Sequence, residues 1–473
     1  MELHHHHLNK DRTAKRFEFL SDALHGRGGF APDIFWTYDS TGTMQKPERV
    51  IGPCYLFPYP RESQQKFAAR AACATYESHL REACERFTAY LGRKAPNRAN
   101  ADSPLVQMLV NDADDSGNHI DVFWQNFMIE ALARGTMLLL IDMPAERYDM
   151  TMAQTLQDAN RAVPYIEPIF PEDVAHYVMG RHGRFDSIAI RSFESINGQQ
   201  EPVIRKWDAQ DWAVIKGTDY RGSSIIRQGT HPFGQCPVLI YTENSSRYPA
   251  VGRFAQIADL SLRLYNARSE LDEILRSQTF SLLTLQIPIE ASPDAAAQAT
   301  ATIGTHSMLI HQGDTPAFIA PDSGPAQIYL AKIEELRAAI GRISMEAQIE
   351  TGTKPESGIS RKMRFEMLNA SLSRFARGMQ DLEARMWQLF NKAMGTTQVV
   401  EVSWPSDYNL TDTTAELDTL LTMQQTGFPL EVIHAKQLSI VAAEFDRADP
   451  EVLQALQDAI ANQTQEIPPP QTP

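Results

Sequence analysis

The chain has 473 residues, enough for roughly two to four folded regions and a sizeable core. A hydrophobic content of 43% and a charged content of 22% are ordinary for a water-soluble globular protein, and the longest purely apolar run, 137–141, is far too short for a membrane span. Forty-four basic against 59 acidic residues give a net charge of −15, which argues against a protein that wraps nucleic acid tightly, though not against one that touches DNA briefly and releases it.

Residues 1–60 read as loop-rich, with Gly26, Gly28, Gly29 and several prolines. No hydrophobic signal segment opens the chain, and His4–His7 read as a tag or a natural terminus, since four adjacent histidines fix no metal geometry. A helix is predicted over 62–91, capped by Ser63 and ended by Gly92, with Phe67, Cys73, Leu80, Cys84, Phe87 and Leu91 on one side. A polar linker, 97–104, follows. Asn111-Asp112-Ala113-Asp114-Asp115-Ser116-Gly117 starts like a calcium loop, but its twelfth position is Phe123 where a bidentate Glu is needed. A polar turn capping the next helix, 119–134, is the better account. Gly135 ends that helix, and 137–143 reads as a buried strand stopped by Pro144.

From 163 to 242 the period switches to short strands, 165–170, 176–179, 187–192, 203–207, 212–215, 225–227 and 238–241, with Asn197-Gly198 as a hairpin signal. Trp207 and Trp212 sit on these strands as packing groups. A helix over 251–278 carries the stripe Ile257, Leu260, Leu264, Ala267, Leu271, Ile274. A small α/β insertion follows, with strands 280–287, 308–311 and 317–319 and an Ala-rich helix at 291–301.

The stretch from Pro325 to Gly395 reads as helix, short polar loop, long helix. The first arm repeats Tyr329, Ile333, Leu336, Ile340, Ile343 and Ala347. The second repeats Leu368, Leu372, Phe375, Met379, Leu382, Met386, Leu389 and Ala393. Steps alternating between four and three residues mark one face of a continuous helix, and the second arm spans on the order of 50 Å. Between them, 351–360 holds the glycines and proline that stop a helix. A strand, 399–404, helices at 414–426, 430–437 and 450–462, and a Pro- and Gln-rich, disordered tail, 463–473, complete the chain. Antiparallel strands segregated from long helices make this an α+β fold.

Catalytic signatures are missing: no phosphate loop, no HExxH, no GxSxG elbow and no GxGxxG after a strand. His176, His182, His231, His306 and His311 are scattered singly. Cys54, Cys73, Cys84 and Cys236 form no CxxC and read as small buried residues in a reducing compartment. No cofactor or metal site is expected, and a non-enzymatic role is favoured. The enzyme alternative is a metal-dependent nuclease built on Asp112, Asp114 and Asp115.

The order sheet domain, long helix, small α/β insertion, helix, polar loop, very long helix resembles the portal, or head-to-tail connector, proteins of tailed bacteriophages. Local stretches carry the likeness too: Tyr59-Pro60-Arg61-Glu62-Ser63 leading to Phe67 and Arg70, Asp115-Ser116-Gly117 followed by Phe123, the run Arg134 to Pro144, the helix from Pro249 to Leu275, and the Gly427 turn. The resemblance implies a wing at 1–250 joined by strand 399–404, stem helices at 251–280 and 325–350, a clip at 281–324, a tunnel loop at 351–361, a long wing helix at 362–394 and a helical crown at 405–462. It implies a dodecameric ring at a capsid vertex of the virion, assembled in the host cytoplasm, through which double-stranded DNA is packaged and ejected. Its partners would be a terminase motor, the major capsid protein and a tail adaptor, with no membrane. A different non-enzymatic head-tail adaptor is the other structural alternative. In a portal an acidic wall repels phosphates while a few cations steer them. Lys354, Arg361 and Lys362 flank the loop and are the expected phosphate contacts. Arg364, Arg374 and Arg377 are expected to pair with neighbouring acids, and Asp381 with Arg385 at i,i+4.

Overall fold

The computed structural model describes residues 2–38, 43–143, 163–180, 183–196, 198–222, 224–243, 248–278, 282–286, 308–311, 318–319, 324–344, 358–397, 399–408, 413–444 and 450–461. Five short sheets and a set of long helices are segregated along the chain, as expected of an α+β protein. The predicted helix at 291–301, residues 345–357 and the tail from 463 lie outside the described residues.

The N-terminal stretch differs from expectation. It forms a 24-residue helix, α1 (Glu2–His25), then a hairpin of β1 (Asp33–Tyr38) and β2 (Met44–Ile51). Phe17, Leu20, Ala23 and Leu24 recur at helical spacing and are all buried, a short stripe hidden in sequence by the His-rich, polar start. The helix predicted over 62–91 is two helices, α2 (Gln64–Cys73) and α3 (His79–Leu91). Ser63 caps α2 by accepting from the Lys66 N–H at 3.2 Å, as predicted, and Ser78 caps α3 in the same way through Arg81. The break puts Cys73 and Cys84 on different helices: Cys84 is buried, whereas Cys73 is exposed, against expectation.

The predicted linker contains β3 (Asn97–Ala99), which pairs antiparallel with β15 (Glu401–Ser403) across some 300 residues of chain. Helices α4 (Pro104–Asn111) and α5 (Ile120–Arg134) follow, and Gly135 closes α5 in the left-handed conformation at φ +79°. The next strand, β4 (Thr136–Asp142), is buried at every residue between β5 (Tyr165–Ile169) and β11 (Val238–Thr242), both antiparallel to it. Because side chains alternate along a strand, Met137, Leu139 and Ile141 enter the main core while Leu138 and Leu140 enter a second one. One apolar strand thereby seals two cores.

That second core lies beneath an antiparallel meander of β6 (Val174–Met179), β7 (Phe185–Ile196), β8 (Gln199–Trp207), β9 (Asp211–Lys216) and β10 (Ile225–Thr230). Ile196 pairs with Gln199 across the predicted hairpin position, where Gly198 has φ +81° and Asn197 lies outside the described residues. Trp207 is buried in this core and Trp212 packs against it.

Helix α6 (Ala255–Gln278) and helix α7 (Gly324–Ile343) pack side by side through their predicted stripes. Between them the described parts of the insertion form a three-stranded mixed sheet. β12 (Leu282–Gln286) lies parallel to β13 (Met308–His311) and antiparallel to β14 (Phe318–Ile319). Helix α8 (Gly358–Met394) is 37 residues long, about 55 Å. Helices α9 (Thr413–Gln425), α10 (Leu430–Glu444) and α11 (Pro450–Ala461) end the described chain, with α10 seven residues longer than predicted.

Candidate functional site

The site predicted from sequence sits where α7 hands the chain to α8. Ser344 ends α7, its N–H donating to the Ile340 carbonyl at 2.8 Å and its hydroxyl to that of Gly341 at 3.3 Å. Lys354 lies outside the described residues. The expected loop is shorter at its C-terminal side than the sequence suggests, because α8 begins at Gly358. Arg361 and Lys362 are therefore the fourth and fifth residues of a long helix, not members of a loop and its edge. Gly358 and Ser360 tolerate a helix start, so the glycine that looks like a breaker is also where the helix begins. The unpaired N–H groups of a first turn carry about half a positive charge. Two basic residues placed next to it add to that potential.

From Leu368 onward α8 is locked. Leu368, Leu372, Phe375, Met379, Leu382, Met386 and Leu389 are all buried, as their spacing predicts. Phe365 packs edge-on against Tyr90 of α3 with 6.2 Å between ring centroids. Gly378 allows Tyr241 of β11 to lie against the helix; a Cβ there would fall 2.9 Å from the ring.

A polar hub that the sequence did not announce fixes the middle of the helix. Glu383 is fully buried and accepts from Arg98 Nε at 2.6 Å, Trp404 Nε1 at 2.8 Å and Trp387 Nε1 at 3.3 Å. Arg98 also donates to Asp121 at 2.7 Å. One carboxylate thus ties α8 to β3, to the segment after β15 and to the start of α5. Its only sequence signal was an acid inside an apolar stripe, one step from Leu382. A second buried pair, Arg70 with Glu62 at 2.8 Å, reaches Ser269 of α6 at 3.3 Å and places the guanidinium over Tyr59. The stretch Tyr59 to Arg70 is a clamp holding α2 to α6.

Other expected pairs on α8 differ. Arg385 donates to the backbone carbonyls of Asp381 at 3.2 Å and Ile240 at 3.0 Å rather than to the Asp381 carboxylate. Arg374 and Arg377 are exposed, and neither has an ion-pair partner among the described residues, although Arg374 lies near enough to Glu243 to act on its carboxyl. The side chain of Arg364 lies outside the described residues.

The acidic cluster of the nuclease alternative is spent on its own turn. Asp112 accepts from the Gly117 N–H at 2.8 Å, and Asp114 accepts from the Ser116 N–H at 3.1 Å and the Asn118 amide at 2.8 Å. His119 caps α5 by accepting from the Asp121 N–H. Carboxylates turned inward to backbone donors do not converge on a cation, and among the described residues no group of three His, Cys, Asp or Glu side chains could hold one.

A cleft of about 580 Å³ opens between α1, the turn after β5 and the strands β7 and β8. Its charges are largely paired: Arg205 with Glu167 at 2.8 Å, and Arg134 with Glu130 and Glu172. Burial, then the neighbouring Glu172 carboxylate, push the Asp173 carboxyl up to about 6. None of the predicted cations lines this cleft. No helix among the described residues is long and apolar enough to cross a membrane.

No family model matches the sequence, and no curated protein does. Among solved structures, the chain is similar to one from the neck of an empty gene transfer agent particle computed with C6 symmetry, at 12% identity and a TM-score of 0.40, covering 74% of this chain and 86% of that one. A chain from the virion of the native gene transfer agent particle gives 14% identity and 0.41, covering 74% and 87%. A chain from the neck of the native particle computed with C12 symmetry gives 12% and 0.41, covering 76% and 89%.

Proposed function

We propose that this chain is the subunit of a ring-shaped portal at one vertex of a phage-type capsid, a conduit through which double-stranded DNA is packaged and later ejected. The observation that carries the reading is the run α6, mixed three-stranded insertion, α7, α8. Two long helices packed side by side bracket a small sheet. The chain then continues into a 37-residue helix whose fourth and fifth residues are Arg361 and Lys362.

On this reading 351–357 and the start of α8 face the lumen, where Lys354, Arg361 and Lys362 meet phosphates together with the helix N-terminus. The net charge of −15 keeps the rest of the wall from holding DNA. The insertion is the docking site for the packaging motor and the tail adaptor, the sheets and α8 form the wing against the major capsid protein, and α9 to α11 form a short crown. The particle is the virion, assembled in the host cytoplasm, and the ring is a dodecamer without catalytic residues, cofactor or metal.

Native mass measurement and negative-stain imaging test the ring. Closed rings with an open channel are expected, and a stable monomer near 53 kDa under all conditions overturns the reading. Lys354→Glu with Arg361→Glu is expected to leave rings intact and impair DNA packaging or retention. Rings that fail to form in that variant would make these residues interface elements.

A further inference from the structure

The C-terminal helices α9 to α11 bury very little. Among the described side chains only Leu420, Ile433 and Ile460 are buried, while Leu417, Leu421, Phe428 and Val432 stay 41–53% exposed. So thin a core gives a unit of this size little stability, and it carries apolar residues that no described residue covers. The charge of the three helices is one-sided: Glu416, Asp418, Glu431, Glu444, Glu451 and Asp458 stand against Lys436, which is already paired with Glu416, while Arg447 lies in the segment between α10 and α11.

The opposite surface lies on α8. Met367, Arg374, Arg377, Asp381, Gln388 and Lys392 are exposed at alternating helical steps, on the side away from the buried stripe. With Glu366 exposed beside Met367, the stripe carries three cations and two acids, a net charge of +1, and Met367 at 64% exposure gives it an apolar end. Arg374 helps hold down the buried Glu243 carboxyl from a distance, but contacts no acid among the described residues. The chain's own C-terminal unit starts beside this helix, since the Tyr408 N–H donates to Asn369 at 2.7 Å. Among the described residues both surfaces are nevertheless open, apart from Lys392, which lies against Gly234.

We propose that the acidic, apolar-faced α9–α11 unit of one copy docks on the basic outer stripe of α8 of the next copy. A ring is built from heterologous contacts, which require two different, complementary patches on the same chain. These are such patches, matched in charge and each carrying uncovered apolar side chains. The contact rests on the ring reading above and names the surfaces that would close it. DNA is excluded from the acidic partner surface by its charge.

A charge swap in the full-length chain tests this, read as the ring fraction by native mass measurement at two ionic strengths. Arg374→Glu with Arg377→Glu, and separately Asp418→Lys with Glu431→Lys, are each expected to lower the apparent association constant at least tenfold, with unchanged circular dichroism. Mixing the two variants, or combining all four changes in one chain, is expected to restore rings to within about threefold of wild type. Raised salt should weaken wild-type rings. Rings that ignore both double variants overturn the docking and leave the ring reading standing. So does a combination no better than its parts. Intact rings that lose DNA retention only in the arginine variant also overturn it, assigning the stripe to nucleic acid. A wild-type chain that is always monomeric overturns the ring reading and the docking together.

Discussion

Helix α8 and the C-terminal helices α9 to α11 are both rich in apolar residues, and they reach opposite states. Along α8 each predicted core position from Leu368 to Leu389 is buried, and the acid within that stripe has three donors. Along α10 the sequence is apolar nearly all round, yet Val432 and Leu438 stay exposed and Ile433 is the buried exception. Composition does not separate the two regions; the number of surrounding elements does. α8 is wrapped by α3, β4, β11 and β15, whereas α10 packs between α9 and α11. A saturated helix is scaffold, and an unsaturated one is, on the docking proposed above, surface for another chain.

The contrast breaks most visibly at the ion pairs. Arg98→Ala leaves the fully buried Glu383 without its cation, and unfolding in urea should show a loss of about 3–5 kcal/mol. Lys436→Ala removes the half-exposed pair with Glu416 in the C-terminal unit, and there the loss should stay below about 1 kcal/mol. Equal losses at the two sites would mean that the hub adds nothing beyond a surface pair.

Next in size is the joint between the buried sheet and α6. The Gly252 N–H donates to the Arg134 carbonyl at 3.0 Å and the Glu243 N–H to that of Gly135 at 2.9 Å. Gly135 sits at φ +79°, and a Cβ on it would lie 1.9 Å from the Gly252 nitrogen. Gly135→Ala combines a left-handed backbone with a backbone clash, so a loss of about 2–4 kcal/mol is expected. Gly427→Ala, in the turn between α9 and α10, has the same positive φ but open space around it, and should cost only about 1 kcal/mol. Thermal unfolding of the two variants side by side checks the difference.

How much of this was readable beforehand follows from the same contrast. The stripes of α6, α7 and α8 were legible because a repeat kept over many turns has one structural meaning. β4 was legible as a buried strand, but its division between two cores was not, since that depends on which sheets lie on each side. α1 was missed because its stripe of Phe17, Leu20 and Leu24 is short and follows a polar, His-rich start. The break between α2 and α3 was missed because apolar residues continue at helical spacing across it. Of the expected phosphate contacts, the sequence placed Arg361 and Lys362 beside a loop, and the helix start at Gly358 makes them its fourth and fifth residues. The Glu383 hub was unreadable in principle, since its donors come from residues 98, 387 and 404.

Burial also has a pH signature on the saturated side. Asp142, at the end of β4, has its carboxyl pushed up to about 6 by burial, which outweighs the Met143 N–H and the Arg205 guanidinium. Its unfolded value is about 3.9, so the folded chain binds this proton more tightly. The stability it contributes is complete below about pH 4 and is lost as pH rises through about 6. Asp142→Asn removes that dependence, and the variant should gain about 2 kcal/mol on wild type between pH 4 and pH 7. Urea midpoints at the two pH values check it, and a variant that loses stability at pH 7 would show the Arg205 pair to be the larger effect.

The smallest effect is expected where an apolar residue is removed from the unsaturated side. Leu421 is 53% exposed on α9, so Leu421→Ser should change the stability of the dilute monomer by no more than about 0.5 kcal/mol. Ile433→Ala, buried between the same helices, should cost about 2 kcal/mol or more. The informative quantity is how Leu421→Ser depends on protein concentration. If Leu421 is covered by another copy, its replacement lowers the unfolding midpoint only where wild type is assembled, because association stabilises the folded state by mass action. A midpoint lowered equally at all concentrations would place the partner of Leu421 within its own chain, and α9 to α11 would then be scaffold like α8.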